Sequence, residues 1–221
     1  MNFSKAYEII GEAADSLLKA VNEEIKKLND EDFNYQDYDS KTKEKSWLRL
    51  DFMKRPEEEK LLPLYEAVKN LVNELAVRYS LDPVTSFSVS MLKPRQVLEE
   101  HTDGRFKHRI TNRFIVPLSD SDKNYNYGYV NGEKVIYKLH LGKIYRINNA
   151  IIHSAVNEED VERYNILIDT FEQRLQDKFK KFIDIMAPLS DEGFKFSQAR
   201  HSDNKHDRIL HKFANKHKTT L

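Results

Sequence analysis

Between Val84 and Phe171 the chain breaks into eight short runs in which polar and apolar residues alternate. They read "VTSFSVSML", "QVLEEH", "RFIVPL", "YGYVNG", "KVIYKLHL", "KIYRIN", "IHSAVN" and "RYNILIDTF". Extended strands send successive side chains to opposite faces, so this pattern describes strands with one buried face. Turn formers separate the runs ("KPR", "TDG", "SDSDKN", "NGE", "LGK", "NNA", "NEED"), and eight short strands so punctuated point to a sandwich or jelly roll.

The flanks follow a different period. Over residues 4–29, Ala6, Ile9, Ile10, Ala13, Ala14, Leu17, Leu18, Val21, Ile25 and Leu28 recur every three or four positions, which predicts an amphipathic helix capped by Ser4. Asn29 to Lys45 is polar and reads as a loop, and "SWLRLDF" at 46–52 as a short strand. A second helix is expected from Pro56, through Glu57 to Glu59 and the stripe Leu61, Leu64, Tyr65, Val68, Leu71, Val72 and Leu75, to near Ser80. After Phe171, "EQRLQDKFKKFIDIM" predicts another helix, with a weaker one around "KHDRILHKFANKHK". The expected organisation is one domain: a helical region at 1–80, a strand core at 81–171 and a helical extension at 172–221.

Lys plus Arg balances Asp plus Glu at 36 each, so no global field recruits nucleic acid or an anionic membrane. The basic tail, with four of the eight His within residues 195–221, reads as a solvated face. The absence of Cys excludes disulfides and thiolate chemistry, and no apolar run reaches the length of a membrane span. A cytoplasmic protein is expected.

Chemistry concentrates in "LEEHTDGRFKHRITNRFIVPL" and, fifty residues later, "IIHSAVNEEDVERYNILIDTF". His101 and Asp103, two positions apart at a strand end, are able to share one ion, and His153 opens another strand. Two imidazoles and one carboxylate with open positions form the facial set that suits non-haem Fe(II). A second His-x-Asp, His201 and Asp203, lies in the polar tail with no strand after it and reads as coincidence. Arg163 heads an apolar strand; it reads either as a surface residue paired with Glu158, Glu159 or Glu162, or as a buried fork for the distal carboxylate of 2-oxoglutarate. His108 and His140 are single strand-end imidazoles that read as hydrogen-bonded rather than ligating, and Asn149 as shaping the turn before His153.

These two stretches resemble the Fe(II)- and 2-oxoglutarate-dependent oxygenases, and within them the aspartyl/asparaginyl β-hydroxylase branch, over roughly residues 84–171. The resemblance implies an α+β protein with a double-stranded β-helix (jelly-roll) core of about eight strands and helices packed outside. It implies His101, Asp103 and His153 as iron ligands, Arg163 as cosubstrate anchor and Arg109 as a second cosubstrate contact. The branch's Arg-x-His appears here as Arg109-Ile110-Thr111, a departure in that part of the pocket. The implied reaction consumes 2-oxoglutarate and O2, hydroxylates a C–H bond of a protein side chain (Asp, Asn or Pro type) or an amino acid, and yields succinate and CO2. Trp47 and Arg49 are candidate substrate contacts at the pocket mouth. Two other functions compete: a silent jelly-roll binding module, and a nucleobase oxygenase recruited through the basic tail.

Overall fold

The computed structural model describes residues 5–39, 42, 44–52, 55–103 and 111–171, with Thr111 and Phe171 by their backbone only. In chain order the strands are β1 (Tyr7–Glu12), β2 (Tyr35–Tyr38), β3 (Lys45–Asp51), β4 (Val84–Leu92), β5 (Val97–His101), β6 (Thr111–Pro117), β7 (Asn124–Val130), β8 (Glu133–Lys138), β9 (Lys143–Ile147), β10 (His153–Asn157) and β11 (Arg163–Phe171). The helices are α1 (Asp15–Ile25) and α2 (Leu62–Arg78). One sheet runs β1-β9-β6-β11-β4-β3-β2 and the other β5-β10-β7-β8, with every pair antiparallel. The eight strands β4 to β11 make the jelly-roll core, as their alternation predicts.

Alternation also decides what each face of the larger sheet meets. Leu48 and Leu50 of β3, Val89 and Met91 of β4, Phe114 and Val116 of β6, and Ile166 and Ile168 of β11 pack against both helices. From α2 come Leu64, Val68, Leu71 and Leu75, and from α1 Leu18, Val21 and Ile25, spaced to form one stripe on each. Residues between these face the smaller sheet. Ile115, Tyr145 and Ile147 meet Tyr137 and Leu139 there, and Tyr7 stacks on Tyr137 with ring centroids 4.2 Å apart. That second cluster closes one end of the space between the sheets. Apart from Leu92 and from Leu167, which packs on that cluster, the inward positions of β4 and β11 are polar: Ser86, Ser88 and Ser90, and Arg163, Asn165 and Asp169. The cleft between the sheets is therefore lined largely by buried polar side chains.

Three expectations need correction. The helix predicted over 4–29 is in fact β1 followed by the shorter α1. β1 pairs with β9, Tyr7 opposite Ile147, because β-branched Ile9 and Ile10 and then Gly11 favour an edge strand over a helical turn. Gly11 lies so close to Tyr79 that a Cβ would come within 2.2 Å of its ring, while the Tyr79 hydroxyl donates to Glu12 O (2.7 Å) and accepts from its N–H (2.8 Å). The loop predicted from Asn29 to Lys45 contains a short 3-10 turn (Asp30–Asp32) and β2, so the 1–80 region supplies three strands of the larger sheet as well as helices. The second helix begins at Leu62 with Pro63 in its first turn, not at Pro56. Helices expected beyond Phe171, the basic tail and His201 with Asp203 lie outside the described residues. Among the described residues no helix is long and apolar enough to cross a membrane.

The 3-10 turn carries a pH-sensitive contact. Asp32 is nearly enclosed, accepts from the Asn29 N–H (2.9 Å) and pairs with Lys60. Burial works to raise its pKa, but Lys60 and the Asn29 N–H outweigh burial and the pKa is lowered. A carboxyl with a depressed folded pKa contributes stability that is complete above the unfolded value, near pH 4, and is lost as pH falls through the folded value. Urea midpoints of wild type and Asp32→Asn are therefore expected to differ at pH 7 and converge on acidification. A gap that persists unchanged at low pH would contradict this assignment.

Candidate metal centre

His101 ends β5 and His153 begins β10, and the two are direct cross-strand partners. Their rings lie 4.4 Å apart between centroids, inclined at 55°. Asp103 follows β5 by two residues, and its N–H donates to Asn149 O (3.1 Å) in the β9–β10 connection. The Asp103 Oδ1 lies 3.8 Å from His101 Nε2, and one donor atom from each of His101, Asp103 and His153 falls within 4.8 Å of the others. Among the described residues this is the one His/Asp/Glu cluster able to surround an ion.

The imidazoles are already turned for the task. His101 Nδ1 lies 2.7 Å from Glu99 O and His153 Nδ1 2.9 Å from Ile151 O. Carbonyls only accept, so each Nδ1 carries a proton, which in the neutral ring leaves the lone pair on Nε2, the tautomer a metal requires. Burial lowers the His153 pKa, and neighbouring His101 adds to this against the pull of Asp103, so the ring stays neutral. Two imidazole nitrogens and a carboxylate fit a divalent ion of Fe(II) type.

Arg163 begins β11 and is 2% exposed. Its Nη1 donates to Val156 O (2.9 Å) and Tyr125 O (3.2 Å), and its Nη2 to Asn126 Oδ1 (2.6 Å), all neutral acceptors on the smaller sheet. No carboxylate pairs with it among the described residues, and the surface pairing with Glu158, Glu159 or Glu162 does not form. Burial without a counter-charge depresses its pKa to about 10. Asn126 stands opposite Ala155, the next inward position after His153. The guanidinium thus reaches the smaller sheet roughly 7 Å along the strand from the His153 row.

Arg113, which the sequence reading passed over, is the other buried cation. It is 7% exposed and sits opposite Asp169 on the neighbouring strand. Its Nε and Nη2 fork onto Asp169 Oδ1 (2.8 Å) and Oδ2 (3.0 Å), and its Nη1 donates to Asp103 Oδ2 (2.6 Å). Burial opposes its charge, yet Asp169 and Asp103 prevail and its pKa is raised. The available signal was a charged residue on the inward register of an otherwise apolar strand.

Other expectations resolve unevenly. Arg109 and His108 lie outside the described residues, as does the Thr111 side chain. His140 is half-exposed beside Asp120 (3.3 Å), away from the cluster. The turn before His153 is shaped by Asn148, whose Oδ1 accepts from the Ala150 N–H (3.2 Å), rather than by the Asn149 side chain, which is fully buried without a hydrogen-bond partner among the described residues. Trp47 and Arg49 occupy inward positions of β3, which packs near β5. The Arg49 guanidinium lies 5.8 Å and 5.9 Å from the Tyr35 and Trp47 ring centres and pairs with Asp51, whose charge is felt at Arg113.

Against known families, the sequence model of aspartyl/asparaginyl beta-hydroxylase matches residues 15–173. The chain belongs to this family. The aspartyl/asparaginyl beta-hydroxylase assignment makes it an enzyme of the 2-oxoglutarate-dependent dioxygenase class, and the implied cofactors Fe(II), 2-oxoglutarate and O2 are those of that class. Solved structures share the fold at low identity. AviO1 from Streptomyces viridochromogenes Tue57 is 13% identical, with a TM-score of 0.56 over 77% of this chain and 91% of its own. A Pseudomonas putida prolyl-4-hydroxylase is 12% identical, with a TM-score of 0.52 over 76% and 93%. The epimerase SnoN from nogalamycin biosynthesis is 13% identical, with a TM-score of 0.52 over 75% and 77%. Compared by sequence with curated proteins, the chain matches none.

Proposed function

We propose that this family member hydroxylates a C–H bond of a protein side chain, of Asp, Asn or Pro type, or of an amino acid, with succinate and CO2 as coproducts. The observation that carries the reading is Arg163: a buried guanidinium whose partners among the described residues are all neutral, about two residues along the strand from His153. A five-carbon diacid is matched to that span, one end at the metal ligands and the other on the fork of Arg163. His101, Asp103 and His153 hold the ion in this reading, and Arg163 supplies the missing counter-charge for the distal carboxylate. Bound Fe(II) with 2-oxoglutarate and O2 supplies the oxidising power that attacks the C–H bond.

The chain's own contribution is orientation and dryness. Glu99 and Ile151 carbonyls keep the Nδ1 protons in place, so both Nε2 atoms stay available through turnover. The apolar cluster around Tyr137, Tyr145 and Ile147 closes one end of the cleft to water. Trp47 and Arg49, on the opposite side near β5, receive the substrate in this reading.

Anaerobic addition of Fe(II) and 2-oxoglutarate is expected to produce a visible charge-transfer band in the wild type and none in Asp103→Ala. With air, succinate release against a panel of peptides and amino acids is expected to accompany a sixteen-unit mass gain in one of them. A wild-type protein that binds metal yet shows neither band nor succinate would end the proposal.

A further inference from the structure

We infer that Arg113 is a positioning residue that restricts Asp103 to a single ligating oxygen and thereby keeps a coordination position open for the cosubstrate. The inference rests on the reading of His101, Asp103 and His153 as the metal ligands.

A carboxylate is able to offer an ion one oxygen or two, and the protein decides which by what it does with the second oxygen. Here Asp103 Oδ2 is taken by Arg113 Nη1 at 2.6 Å, a charge-assisted hydrogen bond, while Oδ1 faces His101 Nε2. Turning Asp103 so that both oxygens met the ion requires that bond to break. Arg113 is not free to follow: its remaining edge is forked onto Asp169, which also accepts from Ser86 Oγ (3.3 Å), and the guanidinium is buried on the adjacent strand. Its planar fork spans two carboxylates at once, which the point charge of a lysine does not. Two imidazoles and one single-oxygen carboxylate leave three positions on a six-coordinate ion. A second carboxylate oxygen would take one of them, leaving a chelating diacid and oxygen to compete for two.

The test separates metal affinity from cosubstrate affinity. Arg113→Met removes the clamp but strands Asp169, so the paired replacement Arg113→Met with Asp169→Leu is made alongside it, and Arg113→Lys tests the fork against the charge. In each full-length variant Mn(II) affinity is measured by competition with a chelator, 2-oxoglutarate affinity by calorimetry on the Mn(II)-loaded protein, and the anaerobic Fe(II)–2-oxoglutarate band by absorption. Mn(II) affinity is expected to stay within tenfold of wild type. Affinity for 2-oxoglutarate is expected to fall about 10–100-fold, the usual effect of losing a partner that orients a ligand, with the charge-transfer band bleached in all three variants. A paired variant that binds 2-oxoglutarate as tightly as wild type with its band intact would overturn the role of Arg113. A wild-type Mn(II) protein that does not bind 2-oxoglutarate would instead overturn the proposed function on which the role rests.

Discussion

Replacing Arg163 by Met is expected to weaken 2-oxoglutarate binding by about 2–5 kcal/mol, roughly thirty- to several-thousand-fold, the cost of truncating one member of a buried charged pair. The physical reason is already visible without a ligand. The guanidinium is 2% exposed, donates three hydrogen bonds to neutral acceptors, and has its pKa pushed down to about 10 by burial. For a base with a depressed folded pKa, the folded chain carries an electrostatic cost below that pKa, which a bound carboxylate relieves. Added 2-oxoglutarate should therefore raise the melting temperature of the metal-loaded wild type and leave that of the metal-loaded Arg163→Met almost unmoved. Differential scanning fluorimetry with and without the diacid reads both. An equal shift in the two proteins would remove Arg163 from the anchor role.

The largest stability effect is expected at Arg113. Arg113→Met leaves Asp169 buried opposite an apolar side chain and Asp103 without its Oδ2 partner, and breaking a buried pair in this way costs about 3–5 kcal/mol. Adding Asp169→Leu removes the stranded charge and is expected to recover most of that loss, because two apolar side chains of similar volume fill the same cross-strand site at Asp169 opposite Arg113. Urea unfolding of the single and paired variants gives the coupling directly. A paired variant as unstable as the single one would mean that the destabilisation comes from lost packing or from Asp103, not from the loss of Arg113 beside Asp169.

Much of the site was legible because its residues are held by short-range geometry. His101 and Asp103 are two apart at a strand end, and His153 opens a strand whose alternation is unmistakable, so register alone turns them into one cleft. Arg163 stood out as a cation heading an apolar strand. Arg113 did not, because an Arg inside "TNRFIVP" gains its meaning from Asp169, fifty-six positions away, and that partnership exists only after β6 pairs with β11. The turn around Asn148 and Asn149 was misread for a similar reason: either amide suits a turn, and the fold selects Asn148 by handing the Asn149 carbonyl to the Asp103 N–H.

The alternation from Val84 to Phe171 by itself determined a two-sheet core, since period two leaves each strand one face to bury. It determined equally which side chains share a face, and with that the candidate cluster of His101, Asp103 and His153. Only the tertiary structure decided that residues 7–12 join the sheet, because the helical spacing of Ile9, Ile10 and Ala13 is satisfied as well by a strand once β9 offers an open edge and Tyr79 leaves room only for Gly11. It alone also decided the charge balance of the cleft, giving Arg113 two carboxylates and Arg163 neutral acceptors. Pairing of buried charges depends on which strands become neighbours, and that is a property of the assembled sheets rather than of any local stretch of chain.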